Sequence, residues 1–343
     1  MRDRRTPLLE VRDLRVEFKV YGGVLKVLDG VSLRVYPGEK VGVVGETGCG
    51  KTTTMKSILR ILPTPPGRIT GGEITFKGQK ILEMSERKLQ QVRGNGMSMI
   101  FQDPTAALNP VFTIGEQLLP IIRHASPENR RLSKRELRAR AVIPLREVAL
   151  ADPERLLDSY PVQLSGGMRQ RVCIGMALAT DPELLIADEP GTSLDVTIQD
   201  QVLRLLHNLV ETKDKSVILI THTLGVVREM TDRVYVMYAG NVVEEAPTRK
   251  LFQNPLHPYT QGLMQAVPKL TGGGIAHGIP GRIPNYRRPP AGCRFHPRCP
   301  HAMDICRQKK PPRIQVDADH WTACFLYDEE TVQQEKAQAA TNG

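Results

Sequence analysis

Eight residues, Gly45-Glu46-Thr47-Gly48-Cys49-Gly50-Lys51-Thr52, fit G-x-x-x-x-G-K-[ST]. They lie between an apolar run, Val41-Gly42-Val43-Val44, and a run from Thr52 to Leu62 that reads as a helix stopped by Pro63, Pro65 and Pro66. That strand-loop-helix setting is the one the pattern requires. The glycines let the backbone wrap a phosphate chain with its N–H groups, and the following helix adds its positive end. Lys51 is expected to reach the β- and γ-phosphates and Thr52 to offer its hydroxyl to Mg²⁺. A second feature, Leu184-Leu185-Ile186-Ala187-Asp188-Glu189, is an apolar strand ending in two carboxylates. Asp188 is expected near Mg²⁺, and Glu189 as the base that polarises an attacking water, as phosphoryl transfer demands. A third, Leu164-Ser165-Gly166-Gly167-Met168, opens a helix with Ser165 as its N-cap.

The elements that must position these residues follow from periodicity. Leu8 to Val20, Val31 to Val35 and Val41 to Val44 read as strands in a β-rich start, with a turn at Pro37-Gly38 and a further short strand at Glu73 to Phe76. The stretch from about Pro104 to Ala179 reads as a helical insert, clearest from Ser133 to Leu150. Alternation then resumes with a strand at Leu184 to Ala187, a helix at Val196 to Val210, and strands at Val217 to Ile220 and Val234 to Met237. The fold class is α/β, a sheet interrupted by helices. Past about Leu251 proline and glycine become dense, which predicts loops and a change of domain, and residues 329–343 read as a disordered tail. With 343 residues, at least two domains or subdomains are expected.

The chain is 40% hydrophobic and 24% charged, which excludes wholesale disorder, and it shows neither a membrane span nor a secretory leader. Of its net charge of +10, +8 falls between Thr271 and Val316, and a second basic stretch runs from Arg123 to Arg146. Aromatic residues make up only 5% and do not interleave with the basic run, so a nucleic-acid partner is not expected. Cys49 and Cys173 are isolated, whereas Cys293, Cys299, Cys306 and Cys324 cluster in the basic segment. In a reducing compartment such a set points to metal before disulfides, and its spacing alone leaves zinc, an iron–sulfur cluster and unligated thiols open. His296, His301 and His320 are secondary candidates for ligands.

The three motifs, in this order, resemble the ATP-binding cassette (ABC) ATPases over roughly residues 8–246. The resemblance implies a P-loop, RecA-like core spanning 6–250, with a β-rich N-terminal part and a helical subdomain at about 104–179. It implies ATP contacts from Tyr21, stacking on adenine, and from Gly45, Glu46, Thr47, Gly48, Cys49, Gly50, Lys51, Thr52 and Thr53. Gln102 resembles the Q-loop glutamine that senses Mg²⁺ and water, Ser193-Leu194-Asp195 the D-loop, and His222 the switch histidine. With Glu189, Gln102 and His222 complete the catalytic set, and Thr52, Gln102 and Asp188 the magnesium set. Leu164, Ser165, Gly166, Gly167 and Met168 resemble the signature that acts in trans on a second ATPase subunit. Met168, Gly191 and Thr223 depart from the usual residues of the family, and none of them removes a phosphate, Mg²⁺ or water contact.

QLSGGMRQRV, LLIADEP with LDVTIQ, THTLGVV, and NPLHPYT followed by Leu263 are similar to the dipeptide/oligopeptide importer ATPases. That branch implies a C-terminal extension at 251–328 and a [4Fe-4S] cluster on Cys293, Cys299, Cys306 and Cys324, with Zn²⁺ as the alternative. It implies two transmembrane permease subunits, a second ATPase subunit that is a paralogue before an identical copy, and an extracytoplasmic solute-binding protein. It also implies a place on the cytoplasmic face of the cell membrane. Importers of nickel, glutathione or oligosaccharides share the pattern. An ABC-type DNA-repair ATPase is the rival from another class, but the interval from Lys51 to Leu164 is short and holds no sustained heptads.

Overall fold

A computed structural model describes residues 6–126, 128–192, 194–266 and 278–333. Its strands are β1 (Leu9–Val20), β2 (Gly23–Val35), β3 (Lys40–Val44), β4 (Gly67–Phe76), β5 (Gln79–Lys80), β6 (Met97–Ile100), β7 (Leu184–Asp188), β8 (Ser216–Ile220), β9 (Arg233–Tyr238), β10 (Asn241–Pro247), β11 (Ile314–Asp317) and β12 (His320–Thr322). The chain divides into two compact units: one from 9–34, 41–82 and 221 onward, the other from 1–8, 35–40 and 83–220.

The first unit carries the β-rich start. β1 and β4 pair antiparallel from Leu9 opposite Phe76 to Phe18 opposite Gly67, within the order β2-β1-β4-β5. In the same unit the order β11-β12-β10-β9-β3 joins early and late parts of the chain. β3 runs parallel to β9, Val41 opposite Arg233 and Val44 opposite Val236, and β9 turns into β10 through Ala239-Gly240. β3 is buried from Val41 to Val44, which suits a strand covered on both faces.

Past residue 250, where proline and glycine density predicts loops, the structure instead shows a helix at Pro258–Gln265 and the strands β11 and β12. Both strands are short, four and three residues, too short for their patterning to stand out among the prolines; β12 pairs with β10, Glu244 opposite Thr322. The run from Thr52 to Leu62 forms a shorter helix than expected, Lys51–Ile58. Arg60, at φ 50°, takes a left-handed turn before the prolines are reached.

The second unit centres on β6, β7 and β8, which are parallel, with Met97 opposite Leu184 and Leu184 opposite Ser216. Every residue of β7 and β8 is buried. Helices run at Ile114–Ala125, Lys134–Glu147, Gly166–Leu178 and Val196–Thr212. The first two begin with reciprocal caps, Thr113 with Glu116 and Ser133 with Glu136, each satisfying backbone donors that a helix start leaves open. Among the described residues no helix is long and apolar enough to cross a membrane.

Candidate nucleotide site

In the first unit, β3 delivers the chain into the glycine-rich loop. Gly45 sits at φ +152°, where a Cβ would lie 2.1 Å from the carbonyl oxygen of Met237, and Gly50 sits at φ +107°, where one would lie 2.6 Å from Leu28. Both positions therefore require glycine. The Lys51 side chain is buried, and its Nζ donates to the carbonyls of Gly45 at 2.6 Å and Glu46 at 3.2 Å. Cys49 is fully buried, and burial pushes its thiol up, so it fills space and stays protonated. Tyr21 is fully exposed, with its backbone carbonyl held at 2.9 Å by Nη2 of Arg287. His222 is exposed two residues beyond β8.

Further groups converge on this loop in the same unit. The Tyr259 hydroxyl accepts from the Glu46 N–H at 2.8 Å, and the Tyr286 hydroxyl donates to the Gly48 carbonyl at 2.8 Å. Nη1 and Nη2 of Arg298 grip the Glu46 carboxylate at 2.9 and 3.0 Å. Tyr259 lies in the stretch NPLHPYT, and Tyr286 and Arg298 in the basic segment from Thr271 to Val316, whose charge gives no sign that either reaches this loop. The local geometry of Tyr259 is simple: His257 Nδ1 accepts from the Tyr259 N–H at 3.0 Å, and Pro258 occupies the first helical turn. Glu244, itself buried, holds the N–H groups of Leu256 and His257 and Nε2 of His320, each at 2.8 Å.

Burial pulls the His257 imidazole down to about 4, and the N–H it receives from Tyr259 requires an unprotonated Nδ1. Between pH 6.5 and 4 the unfolded chain therefore binds a proton that the folded chain does not. The associated stability is present above pH 6.5 and is lost as pH falls toward 4. Lowering pH from 7 to 5 is expected to cost about 2 kcal/mol through this group. His257→Asn, which keeps an acceptor for Tyr259, should flatten that acid limb in urea unfolding; an unchanged pH dependence would remove His257 as its source.

In the second unit, β7 ends at Asp188, 2% exposed, and Glu189 follows at φ 47°. A left-handed glutamate is uncommon, and its N–H is anchored at 2.8 Å by the Ile220 carbonyl. The Glu189 carboxylate Oε2 accepts from Nε2 of Gln102 and from the Thr192 hydroxyl, both at 3.1 Å. The structure thus brings together two residues 87 positions apart that were singled out separately, and adds Thr192, which no pattern marks. Asp103 caps the helix after Gln102 by accepting from the Thr105 N–H at 2.8 Å.

The expected signature also begins a helix: Leu164 is buried, and Ser165 Oγ accepts from the Met168 N–H at 3.3 Å. A Cβ on Gly167 would lie 2.7 Å from Ile198, so helix packing explains that glycine; Gly166 is looser, 3.4 Å from Leu194. Asp195 caps the helix Val196–Thr212 through the Ile198 N–H at 3.0 Å. Ser193 lies outside the described residues. Of the residues expected to serve magnesium, Thr52 belongs to the first unit and Gln102 and Asp188 to the second, and each side chain carries an oxygen, the donor a hard divalent cation takes.

The [4Fe-4S] cluster expected on Cys293, Cys299, Cys306 and Cys324, and zinc as its alternative, are overturned. Among the described residues no group of three or more His, Cys, Asp or Glu side chains is placed to hold a metal ion. Burial pushes the Cys293 thiol up to about 11 and the Cys324 thiol up to about 12. Cys293 and Cys299 instead pack against a core of Tyr238, Tyr259, Phe295 and their aliphatic neighbours. The arginines of this basic segment serve carboxylates and carbonyls: Arg294 Nη1 donates to the carbonyl of Ala239 at 2.6 Å and to that of Lys26 at 3.1 Å, while Arg313 pairs with Glu245.

The arrangement matches known proteins. A solved dimeric structure of the ATP-binding cassette MJ0796 in a post-hydrolysis state with ADP and Pi is 28% identical; the match covers 70% of this chain and 99% of that one, with a TM-score of 0.62. The fold is the ABC ATPase cassette. Residues 28–192 match the ABC transporter family, and residues 243–306 match the C-terminal region of oligopeptide/dipeptide transporters. A probable peptide ABC transporter ATP-binding protein of Sinorhizobium fredii, y4tR, is 49% identical over 94% of this chain and 96% of its own length. The oligopeptide transport ATP-binding protein OppD of Bacillus subtilis is 43% identical over 94% and 90%, and the dipeptide transport ATP-binding protein DppD of the same organism is 44% identical over 94% and 95%. The chain belongs to the family of ABC transporter ATP-binding proteins that carry the oligopeptide/dipeptide transporter C-terminal region, and is an ATPase of that class.

Proposed function

We propose that this chain is the ATP-hydrolysing subunit that energises an importer of dipeptides or oligopeptides. The observation that carries the reading is the match to peptide-transport relatives along 94% of the chain, C-terminal region included. Gly45 to Thr53 wrap the phosphates of ATP, Lys51 neutralises them, and Tyr21 stacks on adenine. Mg²⁺, held by Thr52, Asp188 and Gln102, offsets phosphate charge when bound. Glu189 takes the proton of the attacking water; Gln102 and Thr192 hold its carboxylate in position, and His222 senses the γ-phosphate. Residues 104–179 act as the helical subdomain and 251–328 as the extension.

Leu164 to Met168, with Ser193, Leu194 and Asp195, serve the site of a second ATPase subunit. The MJ0796 cassette was solved as a dimer, in keeping with that reading. Two permease subunits and an extracytoplasmic solute-binding protein complete the assembly, which places this chain at the cytoplasmic face of the membrane. A groove of about 610 Å³ in the second unit, lined by Phe101, Leu108, Ile121, Met176 and neighbours, lies next to Gln102 in the chain and is an apolar seat for a permease segment. Ile121 is 36% exposed, so Ile121→Glu puts a charge into that seat without opening the core. ATPase stimulation by the permease subunits should fall at least tenfold while ATP binding by the isolated chain persists. Undiminished stimulation would remove this groove as the docking seat.

A further inference from the structure

The expected phosphate loop is held by three side chains of the C-terminal extension, Tyr259, Tyr286 and Arg298, and by the turn between β9 and β10. Tyr259 receives the Glu46 N–H, Tyr286 holds the Gly48 carbonyl at 2.8 Å, and the Gly240 N–H holds the Cys49 carbonyl at 2.8 Å. Gly240 is itself fixed, because Arg294 donates to the carbonyl of the preceding Ala239 at 2.6 Å. The fourth contact carries charge. Glu46 puts a carboxylate inside a loop whose purpose is to surround an anion, and a like charge there opposes phosphate. Arg298, with a side chain only 5% exposed, faces that carboxylate with both terminal nitrogens at 2.9 and 3.0 Å. The rest of its fork is occupied: Nε donates to the Pro280 carbonyl at 2.8 Å and Nη2 to that of Ile279 at 2.9 Å. Its orientation is therefore set by backbone, independently of any nucleotide.

We propose that Arg298 is a positioning residue of the ATPase: it neutralises Glu46 and holds that carboxylate aside, so that the extension sets the affinity of the loop for nucleotide. The extension becomes a clamp on the phosphate loop. Tyr259 and Tyr286 fix its shape and Arg298 fixes its charge. This rests on the reading of Gly45 to Thr53 as the ATP site, which Lys51→Ala tests separately. Loss of ATP binding in that variant supports the site; retained binding ends that reading whatever Arg298 does.

The test measures ATP affinity of the full-length chain, and KM and kcat for ATP in the assembled transporter. Arg298→Gln removes the charge and is expected to raise Kd and KM about tenfold, equivalent to about 1.4 kcal/mol, with kcat changed by less than about twofold. Arg298→Gln combined with Glu46→Gln leaves no unpaired charge and should recover most of the lost affinity. Arg298→Lys keeps the charge without the fork and should fall between, about threefold weaker than the parent. If Arg298→Gln fails to fold, the double variant and the lysine variant decide alone. Unaltered KM in both Arg298→Gln and Arg298→Lys, with only a lowered Tm, would overturn the proposal and leave Arg298 a structural residue. A double variant binding no better than Arg298→Gln would overturn the charge argument.

Discussion

Replacing Glu189 by Gln leaves ATP bound and all but stops its hydrolysis. The amide preserves the shape of the side chain and the hydrogen bonds that Gln102 and Thr192 direct at it, each 3.1 Å long in the native chain. It cannot accept a proton from water. General-base assistance contributes about 10²- to 10⁴-fold to such reactions, so turnover should fall by that factor while ATP affinity stays within about threefold of the parent. The strained geometry points the same way. A glutamate at φ 47°, tied through its N–H to Ile220, has its backbone fixed at the end of β7, and Gln102 and Thr192 hold its carboxylate. The measurement is steady-state ATPase beside equilibrium nucleotide binding in the assembled transporter. Hydrolysis within tenfold of the parent would take Glu189 out of the role of base.

Phe295→Ala is expected to remove about 3 to 5 kcal/mol of stability, the usual cost of hollowing an aromatic core. Phe295 is 2% exposed, and its ring centroid lies 5.0 Å from that of Tyr238 and 5.4 Å from that of Tyr259. Beside the pairing of β12 with β10 and the hold of Glu244 on Leu256, His257 and His320, this cluster and the arginine anchors hold the extension. Urea unfolding followed by circular dichroism measures the loss. Limited proteolysis should show the region from Gly278 onward cut first in the variant. A change under about 1 kcal/mol would mean that the extension is held by something other than this core.

How much of this could be read beforehand depends on how local each signal is. Gly45 to Thr52 was legible because strand, loop and helix follow one another in the chain, and Asp188 with Glu189 because an apolar run stops at two carboxylates. Gln102 was legible only through the family resemblance, since a glutamine after an apolar run announces nothing by itself. Its bond to Glu189 joins residues 87 apart, and Thr192 carries no signal at all. The extension was misread for a related reason. Tyr259 and Phe295 are single aromatics among prolines, with no periodicity, and become core only when the fold sets them against Tyr238. The same holds for charge: nine basic residues in 46 look like an exposed patch, yet Arg294 and Arg298 each have side chains only 5% exposed. The four cysteines invited a metal on count and clustering, two properties that carry no geometry.

If ATP hydrolysis by this chain drives peptide uptake, turnover and transport stand or fall together. The direct measurement reconstitutes it with its permease subunits and second ATPase subunit in proteoliposomes. ATP is supplied on the ATPase face and peptide-loaded binding protein on the other. Labelled peptide is expected to accumulate against its gradient, peptide-loaded binding protein to stimulate ATPase, and both activities to vanish together with Glu189→Gln in this subunit. Peptide accumulation that persists at the parental rate in the Glu189→Gln assembly, or hydrolysis that never responds to the loaded binding protein, would contradict that coupling.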